Sequence, residues 1–488
     1  MIHPVPTPTG IHLRPDNSRV LVRSFIPGER ASVLRIIERA LLLTADEIMD
    51  RLVLLHAHFD SRHKRIDLAW RRHYDSVRHH VPHEASITDD CRLYIGALFS
   101  GEYALESAAL FNPSIVPHPD QSGLPPGDLR FIMSLRATGE GHISSIAFRT
   151  GVIGADHSIV LEQPSRFVTA PELNPDPSFR RGVFFRKLRE MEFENDWSRT
   201  LMNSLADRFT RSELNSAIRI ARGVTRPFAR EAKRTTECIR WLAEANYEVH
   251  FDPAVPVSER IIFPVSPNES NGMEDARFVL FRDDDGSVTY YATYTAYNGR
   301  SILPQLLETT DFLSFRAYIL HGAAVRNKGM ALFPRKVGGK YAMISRQDDE
   351  NLYLMLSDDP HVWEDARLLR RPVEAWEAVK IGNCGSPIET PAGWLLITHG
   401  VGPMRRYCIG ALLLDLEDPS IVLGHLAAPL IEPDEPLRNG YVPNVVYSCG
   451  ALVHGGCLIL PYGLSDTTIT FSTVPLEVLL AALDPRRE

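Results

Sequence analysis

The chain has 488 residues, 44% hydrophobic and 23% charged, with a formal charge of −8, which excludes disordered, collagen-like and coiled-coil proteins. An acidic balance also excludes a general binder of nucleic acid or anionic membrane, which needs a basic face to displace counterions, and no apolar run approaches the ~20 residues that cross a bilayer. At this length one large domain with an accessory region is expected.

The first residues, MIHPVPTPTGIHLRPDNSRV, lack the charged-then-apolar pattern of a secretion signal, and the cysteines (Cys91, Cys238, Cys384, Cys408, Cys449, Cys457) are scattered with no CxxC pair. Reduced thiols in the cytoplasm are therefore expected, without disulfides or a zinc site. From about 30 to 80 the hydrophobic period is helical: Val33, Ile36, Ile37, Ala40 and Leu41 form one stripe, and Ile48, Leu52, Leu55 and Phe59 another. Thr44 and Glu47 stand at capping-box spacing between them. The histidines here (His56, His58, His63, His73, His79, His80) share no face, so metal ligation is not expected. A second helical stretch runs from about 185 to 246, with Thr210 and Glu213 as another capping box and Pro227 ending or kinking a helix.

Elsewhere the chain reads as β. Strand pairs flank glycine turns in DDDGSVTYYATY, KVGGKYAMISR, TPAGWLLITHG and VHGGCLILPYG, placing Gly286, Gly339, Gly393 and Gly456 at separations of 53, 54 and 63; PPGDLRFIMSLR around Gly127 precedes Gly286 by 159. Repeats of this length, each worth about four short strands, are the signature of propeller blades. The expected architecture is mainly β: a five-bladed β-propeller over 105–480, a helical N-terminal region over 1–104, a helical insertion (about 185–246) after blade one and a tail over 481–488. Each inner strand begins polar, at Asn112, Glu274-Asp275, Asn327-Lys328, Asn383 and Asn444. The returning strands end at Arg136, Tyr294, Arg346, His399 and Tyr462, so these positions are expected to ring one mouth, although any one of them taken alone could simply face water.

The ordered motifs FNPSIV, SLRATGEGHISSIAFR, GMEDARFVLF, TTDF, ALFPRK, KIGNCGSPIETPAGWLLITHG, LLLDLEDP, GYVPNVVYSCG and YGLSD resemble glycoside hydrolase family 130 from about 105 to 480. The resemblance implies a five-bladed propeller that phosphorolyses or hydrolyses β-mannosides. Asp275 matches the catalytic aspartate of the family's Glu-Asp-Pro-Arg motif, with Ala276 in place of proline. Arg136, Arg346, Lys380 and His399 match its phosphate-contacting basic positions. Asn112, Glu274, Arg277, Tyr294, Asp311, Lys328, Asn383, Tyr407, Asn444 and Asp466 are the remaining substrate-binding candidates. In phosphorolysis the phosphate arrives anionic and needs cations rather than a second carboxylate. The resembling phosphorylases pass the aspartate's proton through a sugar hydroxyl and invert the anomeric centre, so a β-mannoside yields α-mannose 1-phosphate. The alternative is an inverting β-mannosidase in which a second carboxylate activates water, with Glu140 the first candidate and Asp348, Asp349 and Glu350 the others. A non-catalytic sugar-binding propeller would need Asp275 to be structural only. No cofactor is expected beyond inorganic phosphate as co-substrate, and no partner beyond a small carbohydrate; a homo-oligomer is compatible with the sequence. Alternation along a strand predicts that only one of Glu274 and Asp275 faces the sugar, with Glu274 orienting the site or pairing with Arg277.

Overall fold

The computed structural model describes residues 4–82, 86–224, 229–433 and 438–483. Pro227 and residues 484–488 of the expected tail lie outside the described residues. The protein is mainly β, with most helices gathered in two stretches of the chain and a short one, Leu476–Ala482, after the last strand.

The helices follow their sequence signals. Arg30–Leu41, Ala45–Phe59, Ile66–Val77 and Asp89–Leu98 pack on a core of their own built from Val33, Ile37, Ile48, Leu52, Trp70 and Ile95. Thr44 accepts from the Glu47 amide while the Glu47 carboxylate accepts from the Thr44 amide, so two of the first free amides of that helix are satisfied reciprocally. Thr210 and Glu213 repeat the arrangement at 3.3 and 2.8 Å before Arg211–Val224. That helix, Arg181–Glu190, Asp196–Asn203 and Ala229–Ala245 enclose a second helical core, with Phe184, Trp197, Leu201 and Leu242 buried beside Ile319 of the β region.

The β region consists, among the described residues, of five successive antiparallel meanders. The first comprises Ala109–Pro117, Leu129–Thr138, Ser144–Ile153 and Ile159–Leu161, and the second Gly272–Arg282, Val288–Tyr297, Ile302–Thr309 and Ser314–Ile319. A parallel contact between Ser144 and Gly272 joins these two into one sheet. The third runs through Lys328–Leu332, Tyr341–Arg346, Leu352–Ser357 and Arg367–Arg370. The fourth has Lys380–Asn383 and Ile388–Thr390 on one side of Gly393–Val401, followed by Tyr407–Leu414 and Val422–His425. The fifth places Val446–Tyr447 and Leu452–His454 beside Cys457–Leu464 and Thr468–Pro475, and its outer strand is Thr7–Leu13 from the start of the chain. No single sheet closes on itself among the described residues. The first strands of the first three meanders lie side by side, and Cys457–Leu464 of the fifth lies against Ala109–Pro117 of the first.

Gly127, Gly286, Gly339 and Gly456 sit in tight turns with positive φ, as the repeat predicts. Gly393 differs: it is already the first residue of its strand, paired with Thr390, and a Cβ there would stand 2.2 Å from the Leu414 carbonyl oxygen. Its φ is also positive, +138°, so both the backbone conformation and the close approach of the neighbouring strand require glycine there. Between the first and second meanders, Phe312 is packed by Phe148, Phe278, Phe315 and Tyr290 at centroid distances of 4.8 to 5.9 Å. Truncating such a residue to alanine costs on the order of 3–5 kcal/mol. The N-terminal segment is tied to this β region by charge: buried Glu106 takes Arg19 at 2.7 Å and Arg149 at 2.8 Å on the same oxygen.

Candidate active site

The polar starts of the inner strands share a backbone feature. Asn112, Asp275, Asn327 and Asn444 have φ of +50°, +55°, +59° and +63°. In the first three meanders the pairing register also slips at this point, between Phe111 and Ser114, between Glu274 and Arg277, and between Lys328 and Ala331. Each slip is a bulge, and Asn and Asp tolerate the left-handed region better than other side chains. The recurrence of Asn and Asp in register therefore has a conformational cause besides any chemical one.

The bulge at Asp275 overturns the expectation from alternation. Glu274 and Asp275 both reach the same guanidinium: Arg136 Nη2 is 2.7 Å from Glu274 Oε1 and Nη1 is 3.3 Å from Asp275 Oδ1. Arg136 is fixed by donating from Nε to Ser144 Oγ at 2.8 Å and by lying 4.9 Å over the Phe111 ring. The expected pair between Glu274 and Arg277 does not form. Arg277 instead donates to the Asp275 carbonyl at 2.9 Å, to Asn383 Oδ1 at 3.1 Å and to Tyr447 Oη at 2.6 Å. Lys328 Nζ lies 4.0 Å from Glu274.

Burial alone would raise the Asp275 carboxyl. Arg136, Arg277, Lys328 and the Asn112 amide, which donates to Oδ1 at 2.5 Å, override it and hold the group at about 2. Asn112 is left with its Oδ1 buried and without a partner. Burial pushes Asp466 up to about 7, with Asp275 adding repulsion and Arg136 opposing.

Opposite this group stands a second basic cluster. Arg346, paired in register with Lys328, donates from Nη2 to Asp349 at 2.9 Å, and Lys380 Nζ is 3.1 Å from the other oxygen of Asp349. Arg346 Nε is buried without a partner. His399 was expected to add charge here and does not: burial, then Arg346 and Arg277, hold its ring well below the usual range, so it is neutral. Its Nδ1 donates to the Asn383 carbonyl at 3.1 Å, which leaves Nε2 to face Arg346 Nη1 at 3.5 Å. The ring lies over Gly382, where a Cβ would be 2.3 Å from His399 Cε1. Asp275, Arg277, Lys328, Arg346, Asn383 and His399 line one narrow cleft, a space of about 230 Å³ including its open mouth.

The family model of glycoside hydrolase family 130, described as β-1,4-mannooligosaccharide phosphorylase, matches residues 210–484. The chain belongs to glycoside hydrolase family 130. It is accordingly a glycoside phosphorylase or a closely related glycoside hydrolase. A 1,2-β-oligomannan phosphorylase from Thermoanaerobacter sp. (strain X514) is 35% identical over 45% of this chain and 74% of its own length. A β-1,2-mannobiose phosphorylase from Listeria innocua serovar 6a is 32% identical over 46% of this chain and 63% of its own length. A solved β-1,2-mannobiose phosphorylase from Listeria innocua, in complex with β-1,2-mannobiose, aligns at a TM-score of 0.46 and 22% identity, covering 78% of this chain and 93% of that one. Asn112 and Arg136 precede the stretch matched by the family 130 model.

Several positions suggested by the family pattern stand elsewhere. Tyr294 points into the β core, donating to Glu269 at 2.6 Å, while its neighbours Thr295 and Thr293 pair with Glu274 and Arg277. Tyr462 likewise turns inward, 3.2 Å from Ser472 Oγ. Asp311 is exposed and builds a turn: Oδ1 accepts from the amides of Leu313 and Ser314 at 2.8 and 3.0 Å, which explains the TTDF motif by backbone chemistry. Asn444 accepts from Arg438 at 2.6 Å through its side chain and from the Tyr407 amide at 2.9 Å through its carbonyl. Tyr407 stacks on His399 at 5.8 Å. Glu140 is exposed in the turn Glu140–His142, whose His142 meets Tyr441 Oη at 3.0 Å. Asp348 is occupied by the amides of Glu350 and Asn351 and by Tyr353 Oη. One site residue is not singled out by the sequence: Tyr447, although it lies within the motif GYVPNVVYSCG. Asp349, a candidate base on sequence, instead bridges Arg346 and Lys380, and its three-residue spacing from Arg346 is the signal for that pairing.

Proposed function

We propose that this family 130 enzyme cleaves β-mannosides (manno-oligosaccharides) by inverting phosphorolysis, releasing α-mannose 1-phosphate. The carrying observation is the charge of the cavity. Among the described residues, Arg277, Lys328 and Arg346 line it with Asp275, while Arg136 and Lys380 stand behind them with Glu274, Asp349 and Asp466, and Asp466 is only partly ionised near neutral pH. The surplus cation and the spare Nε donor of Arg346 suit an anionic nucleophile.

In this reading Asp275 is the general acid. Held at about 2, it is a carboxylate until the charge around it changes. A phosphate dianion against Arg346 and Lys380 offsets the neighbouring cations, and a sugar excludes water; both raise the affinity of Asp275 for a proton. Hydrogen phosphate loses one proton on forming the ester and the leaving sugar gains one, so Asp275 ends the cycle as it began. Asn112 Oδ1, buried and unpartnered, is placed to accept a sugar hydroxyl beside Asp275, and a hydroxyl there can relay the proton to the glycosidic oxygen. Attack from the face opposite the leaving group turns the β bond into an α phosphate.

Hydrolysis finds less support. Of its candidate bases, Glu140 and Glu350 are exposed, Asp348 is occupied by backbone amides and Tyr353, and Asp349 is bound to Arg346 and Lys380. The proposal includes the architecture: the five meanders, the fifth completed by Thr7–Leu13, are blades of a propeller over 105–480 whose inner strands open on this cavity, with the helices of 1–104 and an insertion at about 185–246. It also includes a reducing cytoplasmic setting, in keeping with the free cysteines. Incubation with a panel of β-mannobioses, with and without phosphate, tests the chemistry. Phosphorolysis gives mannose 1-phosphate only when phosphate is present; free mannose at full rate in phosphate-free buffer would sink the proposal.

A further inference from the structure

The helical insertion leaves an opening against the outer face of the second meander. Between Ser178–Arg180 and Arg181–Glu190 on one side and Ser314–Ile319, His321 and His361 on the other lies a space of about 830 Å³, including its solvent-filled mouth. It shares no residue with the cavity at Asp275. Phe179 and Phe184 form an apolar wall, meeting edge to face at 5.6 Å, and half-buried Tyr318 also lines the space.

The rim is cationic. Arg180 lies 3.5 Å from Asp359 and Arg316 3.1 Å from Glu248. His361 is clamped at 3.0 Å by Asp359 and at 2.8 Å by Glu308. Burial would discharge His361, but the two carboxylates override it and push the ring up to about 9. Close by, Lys187 and Arg186 are matched by Glu190 and Glu364. Three carboxylates thus meet the cations of Arg180, Arg208, Arg316 and His361, and the charge left over is that of Arg208, which forms no ion pair among the described residues. His321, 3% exposed, lines the same space with its Nδ1 buried and unpartnered. Burial, with Lys187 and His361 nearby, keeps that ring neutral at about 3. A surplus guanidinium, an imidazole with an orphaned nitrogen and an aromatic wall lining one opening describe a polar-headed ligand with a ring-sized body.

We infer that this opening is a second ligand site, separate from the candidate active site, for a small oxyanion, a phosphate ester or a carboxylate, carried on an apolar or stacking ring. Arg208 takes the anionic head, His321 supplies a directional hydrogen bond, and Phe179, Phe184 and Tyr318 hold the ring. The inference does not depend on the phosphorolysis reading.

Calorimetric titration of the full chain tests it, with phenyl phosphate and benzoate as probes and inorganic phosphate and benzyl alcohol as controls. Lys380→Ala serves as the background, to weaken anion binding at the other cavity. At least one ring-bearing anion is expected to bind one site per chain, at least about tenfold more tightly than either control, and the tighter of the two identifies the head group. Arg208 is exposed, so Arg208→Gln keeps the fold, and it should weaken that probe about tenfold, the loss of one charge-assisted contact. The inference is overturned if neither anion binds, if Arg208→Gln leaves the affinity unchanged, or if a crystal soaked in the probe shows it only beside Arg346.

Discussion

Replacing Arg346 by leucine and Lys380 by alanine separates the binding of phosphate from the binding of sugar, and the structure ranks the two effects. The Arg346 side chain is 7% exposed, with a spare buried donor; that of Lys380 is 20% exposed and contacts Asp349, itself 53% exposed. Charge-assisted hydrogen bonds contribute roughly 1.5–3 kcal/mol, the upper end where solvent is excluded and the lower where it screens. About 3 kcal/mol for Arg346 and about 1.5 kcal/mol for Lys380 correspond to losses of roughly 150-fold and roughly 12-fold in phosphate affinity. The assay is the initial rate of mannose 1-phosphate release against phosphate concentration at saturating mannobiose. Direct titration with phosphate accompanies it, because KM equals Kd only when dissociation outruns chemistry. Mannobiose affinity should stay within about twofold of the parent enzyme in both variants. The reasoning fails if the mannobiose requirement rises as much as the phosphate requirement, or if Lys380→Ala is the more damaging change.

Asp275→Asn keeps the shape of the acid and removes its proton, so turnover should fall by roughly two orders of magnitude or more in protein that still folds, with a lower melting temperature because the cations of Arg136 and Arg277 lose a buried carboxylate; normal turnover would remove Asp275 from the chemistry. Asp466, pushed up to about 7 by burial, gains its negative charge as pH rises through that value beside Arg136. Sulfate, whose own charge is constant there, should therefore bind more weakly at about pH 8 than at about pH 6, and Asp466→Asn should flatten the difference; an equal slope in the variant would dismiss the residue. Glu106→Gln leaves the buried guanidiniums of Arg19 and Arg149 without their shared carboxylate, which should cost roughly 3–5 kcal/mol in denaturant unfolding, and near-parental stability would refute that account.

Much of the architecture is legible in the sequence because it rests on local chemistry. The capping pairs Thr44/Glu47 and Thr210/Glu213 and the turn glycines at 127, 286, 339 and 456 act within a few residues of themselves. The side on which a strand residue faces is not local in this way. Strict alternation assigns Glu274 and Asp275 to opposite faces, and the bulge places both on Arg136. Tyr294 shows the converse: a polar aromatic at the expected register turns inward because Glu269, twenty-five residues earlier, receives its hydroxyl. The neutrality of His399 depends on Arg346 and Arg277 from other strands, and Asp349 matters because Arg346 and Lys380 converge on it. Composition names the residue types in a site, whereas their charges follow from neighbours distant in the chain.

The outer strand of the fifth meander has a consequence for how the protein is made. Thr9 bonds to Phe471 across 462 residues of sequence. At the usual pace of synthesis, roughly 5–20 residues per second, Thr7–Leu13 waits about half a minute to a minute and a half before its partner strand leaves the ribosome. Throughout that interval it is an unpaired edge, and its TPTGIHL sequence, with a proline and a glycine among few apolar residues, is poorly suited to self-association. The fifth meander is thus completed by a strand made long before its partner, so this step of folding must wait for Thr468–Pro475 to be synthesised.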